Sequence, residues 1–218
     1  VPAQISVPWL EVCRQLQMPA VLTAGATDLW NWRCVDSSCG MDLGNLVQTL
    51  ELTGTQTERT FHMVPCAMQA AAAKVVPKIF LADVLVRGKR KAELAALLRE
   101  VSEVLGRFRQ LFGQLPQGVD VDTFYDVYRP LLDGFYPDGI VLHGVPEVRS
   151  LPCLTPVDGE PTECRLLNRS KGPSAGQSTV ILLIDLFLGV SHAGSGASFQ
   201  EEMLLYMPAQ HRQMVIDY

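Results

Sequence analysis

The segment Gly172-Pro173-Ser174-Ala175-Gly176-Gln177-Ser178-Thr179 runs directly into Val180-Ile181-Leu182-Leu183-Ile184. Small residues entering a helix leave backbone N–H groups without intrahelical partners and let a flat or anionic ligand approach the chain closely. The same residues also suit a tight turn capped by serine. Two other chemistries are excluded by residue type. Ser174-Ala175-Gly176-Gln177-Ser178 is not a G-x-S-x-G elbow and has no strand leading into it, and no Lys follows Gly176 as a phosphate-binding loop would require.

A second candidate lies at Phe124, Tyr125 and Arg129, whose spacings of five and four place aromatic rings and a guanidinium on neighbouring helix faces. An aromatic wall beside a forked cation suits an aromatic amino acid, with its apolar ring and its carboxylate. Arg129 equally suits a surface pair with Asp126 or Asp133. The four histidines, His62, His143, His192 and His211, are too widely separated for a metal-binding pair, so each is expected to be a surface or hydrogen-bonded histidine. Asp185, alone in an apolar helix, needs a buried partner or must neutralise.

These residues need elements to position them, and the pattern is helical. Leu94, Leu97, Leu98, Val101, Val104, Leu105, Phe108, Leu111 and Phe112 mark one face of a helix over 93–115. Residues 61–86 predict helix on either side of Pro65 and Pro77, each of which should start or kink a segment. Asp122-Thr123 offers an N-cap for a helix ending near Gly134. Ser174 or Ser178 caps a helix through Leu188 that Gly189 closes, and 198–206 forms a shorter one stopped by Pro208. Only 47–52 and 140–143 read as extended, and 146–173 reads as a long irregular loop. The fold class expected is therefore all-α.

With 218 residues, 48% of them hydrophobic, the chain can bury a full core. A net charge of -5 argues against nucleic acid and supplies no polybasic membrane patch. Residues 180–190 form the longest apolar run, shorter than the roughly 20 that cross a bilayer and broken by Asp185. A cytoplasmic protein with reduced cysteines is expected, since no C-x-x-C pair suggests zinc, although a Cys153–Cys164 bridge stays open. The chain begins at Val1 and stops soon after Val215-Ile216, as a fragment would.

Taken in order, several stretches resemble the indoleamine 2,3-dioxygenase family. They are Val7-Pro8-Trp9, Met18-Pro19-Ala20-Val21-Leu22, Leu29-Trp30-Asn31-Trp32, Phe61-His62-Met63-Val64, Phe124-Tyr125-x-x-x-Arg129, Leu132-Asp133-Gly134-Phe135, Ser174-Ala175-Gly176-Gln177-Ser178 and Tyr206-Met207-Pro208-x-x-His211-Arg212. The resemblance implies residues 1–218 to be part of a helical large domain that holds haem b. Dioxygen and an indole would be the partners, in a monomer, and cleavage of the C2–C3 bond of tryptophan would give N-formylkynurenine. Carried across by position, Arg129 pairs with the substrate carboxylate, while Phe124, Tyr125 and Leu132 wall the indole. Ser174 lies beside haem and oxygen, Ala175 and Gly176 let the loop approach the porphyrin and the substrate ammonium, and Phe61 and His62 line the cofactor side.

The sequence departs from the family at Pro173 (usually Gly), His62 (aromatic), Pro65 (Ser or Thr), Ala24 (Tyr) and Asp28 (apolar), which implies a more polar pocket. His62 could then donate a hydrogen bond to bound oxygen. The family's small N-terminal domain and the helix carrying the proximal haem histidine are not expected within this chain, so no metal ligand is assigned and Asp185 would lose its basic partner. Two further readings stay open, an oxygen-binding haem protein without catalysis and a haem-free scaffold that binds a partner.

Overall fold

The computed structural model describes residues 1–132, 139–145, 154–166, 172–191 and 195–218. Its architecture is mostly helical. In chain order the elements are α1 (Ala3–Leu16), β1 (Trp32–Cys34), β2 (Leu46–Gln48), α2 (Gln56–Ala72), α3 (Val76–Ile79), α4 (Ala82–Arg87), α5 (Lys91–Phe112), α6 (Leu115–Gly118), α7 (Arg129–Leu132), β3 (Ile140–His143), β4 (Leu154–Val157), β5 (Glu160–Leu166), α8 (Thr179–Leu188), α9 (Ser195–Leu204) and α10 (Ala209–Asp217). π-helical turns occupy Gly25–Leu29 and Thr123–Tyr128.

The apolar face predicted for α5 packs as its spacing requires. Leu97, Val101 and Val104 meet Ala72, Val75, Ile79, Ala82, Val180 and Ile184 in one buried cluster, which joins α5 to the end of α2, to α3, α4 and α8. A second cluster lies between α1 and a small sheet. α8 begins where Ser178 Oγ accepts from the Ile181 N–H and ends at Gly189, whose left-handed φ of 70° closes the helix. Ser174 also acts as a cap, accepting from the Gly176 N–H at the 3-10 turn Ala175–Gln177. Both serines therefore cap, one after the other.

Several expectations need correction. Residues 146–173 are not one irregular loop: β3, β5 and β4 form a three-stranded antiparallel sheet, with Ile140 opposite Leu166 and Leu154 opposite the same residue. Alternating burial along β5 hides Cys164 and Leu166 against α1, a signal obscured in sequence by the Pro and Thr of its exposed start. A second, two-stranded sheet pairs β1 with β2, and β1 carried no recognisable pattern over three residues. α2 runs through Pro65 without ending, whereas Pro77 sits in the first turn of α3 as expected. Asp122 makes no side-chain cap; Asp120 Oδ1 accepts from the Thr123 N–H instead, at 2.8 Å. Asp185 is half-buried and engaged, so it is neither enclosed nor left alone. Cys164 is a free thiol, while Cys153, Asp133, Gly134, Phe135 and His192 lie outside the described residues.

Candidate functional site

α2 presents Phe61, His62, Pro65, Met68 and Gln69 along one stripe, the i, i+1, i+4, i+7, i+8 spacing of a single helix face. That stripe lines a cleft of about 880 Å³, a volume that includes its open mouth. Phe108 and Phe112, one turn apart at the end of α5, form another wall. Asp28 and Leu29 come from the first π-helical turn, and Pro173, Ser174, Ala175 and Ser178 from the segment before α8.

The loop is held over the cleft by Gln177. This side chain is buried; its Oε1 accepts from the Ala24 N–H at 2.7 Å and its Nε2 donates to the Gly172 carbonyl at 2.6 Å. Gln69 Nε2 donates to Ser178 Oγ at 2.7 Å, tying α2 to the same loop. Two glycines make this close packing feasible. Gly172 has φ +64°, and a Cβ there would lie 2.8 Å from the Leu132 carbonyl oxygen; a Cβ on Gly176 would meet Phe199 Cε1 at 2.8 Å. Gly176 thus makes room for α9, a packing role that differs from the approach to a cofactor expected of it.

The sequence-predicted residues fall into two groups. Phe61, His62, Ser174 and Ala175 line the cleft together. Phe124 stands behind Phe61, its ring centroid 4.9 Å away, and packs edge-on against Tyr125. Tyr125 and Arg129 are exposed and Leu132 is buried, and none of the three lines the cleft. The turn that carries Phe124 and Tyr125 is π-helical, so helical spacings of four and five no longer place their rings and Arg129 as an α-helix would.

His62 is enclosed, and both its nitrogens are engaged. Nδ1 lies 2.5 Å from Asp28 Oδ1, and Nε2 meets the hydroxyl of Tyr128, which is fully buried. Burial first, then the nearby Glu58 and Asp28 carboxylates, pushes the Tyr128 phenol well above its ordinary value. Tyr128 therefore keeps its proton, and both ring nitrogens of His62 are taken up by its hydroxyl and by Asp28. In this arrangement His62 has no N–H left for bound oxygen. Asp28 stands out in the sequence as a departure from the family, but its pairing with His62 is not legible there, because Asp28 lies 34 and Tyr128 66 residues away. Behind the same wall, burial and then Asp28 push the Cys66 thiol up to about 12, which makes it a poor nucleophile.

Among the described residues no group of three potential metal ligands gathers, and no helix is long and apolar enough to cross a membrane. Residues 1–217 match the family model for indoleamine 2,3-dioxygenase. The chain belongs to the indoleamine 2,3-dioxygenase family. It is 27% identical to indoleamine 2,3-dioxygenase 1 of Rattus norvegicus, over 98% of this chain and 50% of that protein. It is 26% identical to indoleamine 2,3-dioxygenase 2 of Homo sapiens, over 99% and 50%. Myoglobin of Haliotis diversicolor is 24% identical over 99% of this chain and 52% of its own. The chain spans about half the length of the curated relatives it matches.

Proposed function

We propose that the complete protein is a cytoplasmic, monomeric, haem-dependent dioxygenase that cleaves the indole C2–C3 bond of tryptophan, or of a related indole, to give an N-formylkynurenine. The reading rests on one observation. The Ser174-Ala175-Gly176-Gln177-Ser178 loop, within a chain of this family, is anchored by Gln177 over an aromatic-lined cleft.

The residues at the cleft fit haem in part. Phe108, Phe112 and Ile181 offer apolar faces for a flat macrocycle, and Ser174 offers a hydroxyl at its edge. Among the described residues the cleft lining offers no unengaged imidazole nitrogen, since both nitrogens of His62 have partners. When bound, haem would supply the oxidising chemistry. The chain supplies orientation and dryness. Phe61 and the Phe108–Phe112 pair would keep water from the cleft. Ser174 Oγ accepts from the Gly176 N–H at 3.2 Å, which leaves its own proton to donate to a ligand acceptor. By the family resemblance Arg129 and Phe124 would hold a substrate carboxylate and ring, and Arg129→Ala should then raise KM for tryptophan while leaving haem uptake unchanged.

The likeness to a myoglobin favours a second reading, oxygen binding without turnover. Full-length protein supplied with haem, reductant, dioxygen and tryptophan distinguishes the two. The dioxygenase reading expects N-formylkynurenine; a stable, reversible oxygen complex with no product selects storage, and no haem uptake overturns both.

A further inference from the structure

Asp28 is an unusual side chain for this wall. It sits among Leu29, Phe61 and Pro65 at the cleft, with its side chain 15% exposed. One carboxylate oxygen is fully used. Oδ1 accepts from Thr27 Oγ1 at 2.9 Å and from His62 Nδ1 at 2.5 Å, and His62 is in turn held by Tyr128. Oδ2 has no hydrogen-bond partner among the described residues, and it is not among their enclosed, unpartnered atoms. The Asp28–His62–Tyr128 line therefore fixes one strong acceptor, reachable and unused, in an apolar aromatic cleft.

We propose that Asp28 Oδ2 accepts a hydrogen bond from the ring N–H of a flat aromatic heterocycle seated against Phe61 on the Asp28 side of the cleft, so that Asp28 determines ligand specificity. The inference deepens the function proposed above, since it rests on the cleft being the ligand site. The chemistry follows from the surroundings. An apolar cleft holds a flat ring by its faces, and such a ring can satisfy an acceptor in the wall only through a donor in its own plane. A ligand lacking that donor leaves a carboxylate oxygen stripped of water, at a cost worth about 10–100-fold in affinity for a charged acceptor. The imidazole behind Asp28 orients the carboxylate and does not touch the ligand, which makes His62 a positioning residue.

The test is the binding of indole and of benzofuran, which share shape but exchange a ring N–H for an ether oxygen, measured calorimetrically on the full-length protein as isolated. The wild type should prefer indole by about 10-fold or more. In Asp28→Asn, Oδ1 still serves His62 and Thr27 while an NH2 donor stands where Oδ2 was, so the preference should fall below about threefold or reverse. Asp28→Ser gives the same comparison should the Asn variant fail to fold. Equal binding of the two probes by the wild type, no binding of either, or an unchanged ratio in the folded variant overturns the inference. Loss of the preference with no N-formylkynurenine made by the wild type would leave Asp28 as assigned and remove the dioxygenase reading instead.

Discussion

Two of the buried polar groups of α2, Glu58 and His62, stand one turn apart and serve opposite ends. Glu58 is fully enclosed and accepts from the Leu52, Thr53 and Gly54 N–H groups, from Thr53 Oγ1 and from Gln48 Nε2. Thr55 caps the helix just before it. Around this carboxylate nearly every polar atom is satisfied, Gln48 Oε1 being the one without a partner. The His62 line ends instead on Asp28, whose second oxygen is unused beside an open cleft. A saturated buried network fixes the chain; an unsaturated one at a cavity wall is ready to bind. The same helix thus clamps the 48–55 connection on one side and builds the candidate site on the other.

The sharpest way to break this contrast is Glu58→Ala, which strands several donors at once. We expect a loss of about 3 kcal/mol in stability by urea denaturation, with the indole-to-benzofuran ratio of the folded fraction unchanged. A ratio that moves with Glu58 would mean that the two networks act as one. Gln177→Ala should cost less, about 2 kcal/mol, because it removes the bonds to Ala24 and Gly172 and a weak one to Met203 Sδ. Unlike Glu58→Ala, it should also weaken binding of both probes, since the loop over the cleft loses its anchor.

The smallest effect is in pH. Burial raises the Glu58 carboxyl, but the hydrogen bonds from Thr53, Leu52 and Gly54 outweigh it and hold the group below its ordinary value of 4.5. A carboxyl lowered in the folded state contributes stability that is present above its unfolded value and lost as pH falls through the folded one. Stability should therefore decline on acidification below about pH 4.5 in the wild type, with a shallower decline in Glu58→Gln. Parallel acid titrations of the two proteins would contradict the account of Glu58.

Local signals explain what was legible in the sequence. The α5 face, the Ser178 cap, the Gly189 stop and β3 all depend on residues within a few positions of each other, and all stand where their spacing predicts. The strand β5 was masked by turn-type residues at its exposed end, and it earns its pairing from β3 and from α1, far away in the chain. For the site, the loop at 174–178 and Phe61 were recognisable, yet the atoms that hold and charge the cleft were not. Gln177 reaches back 153 residues to Ala24, and the Asp28–His62–Tyr128 line joins three elements that share no local pattern. Arg129 shows the converse: its spacing from Phe124 and Tyr125 is legible, but the turn that carries those rings is π-helical, and Arg129 does not line the cleft.

The central claim, that this cleft belongs to an indole-cleaving dioxygenase, is tested most directly by isotope incorporation. Full-length protein given haem, reductant, tryptophan and 18O-labelled dioxygen should yield N-formylkynurenine carrying both labelled oxygen atoms by mass spectrometry. No product, or product whose newly added oxygen comes from water, would contradict it.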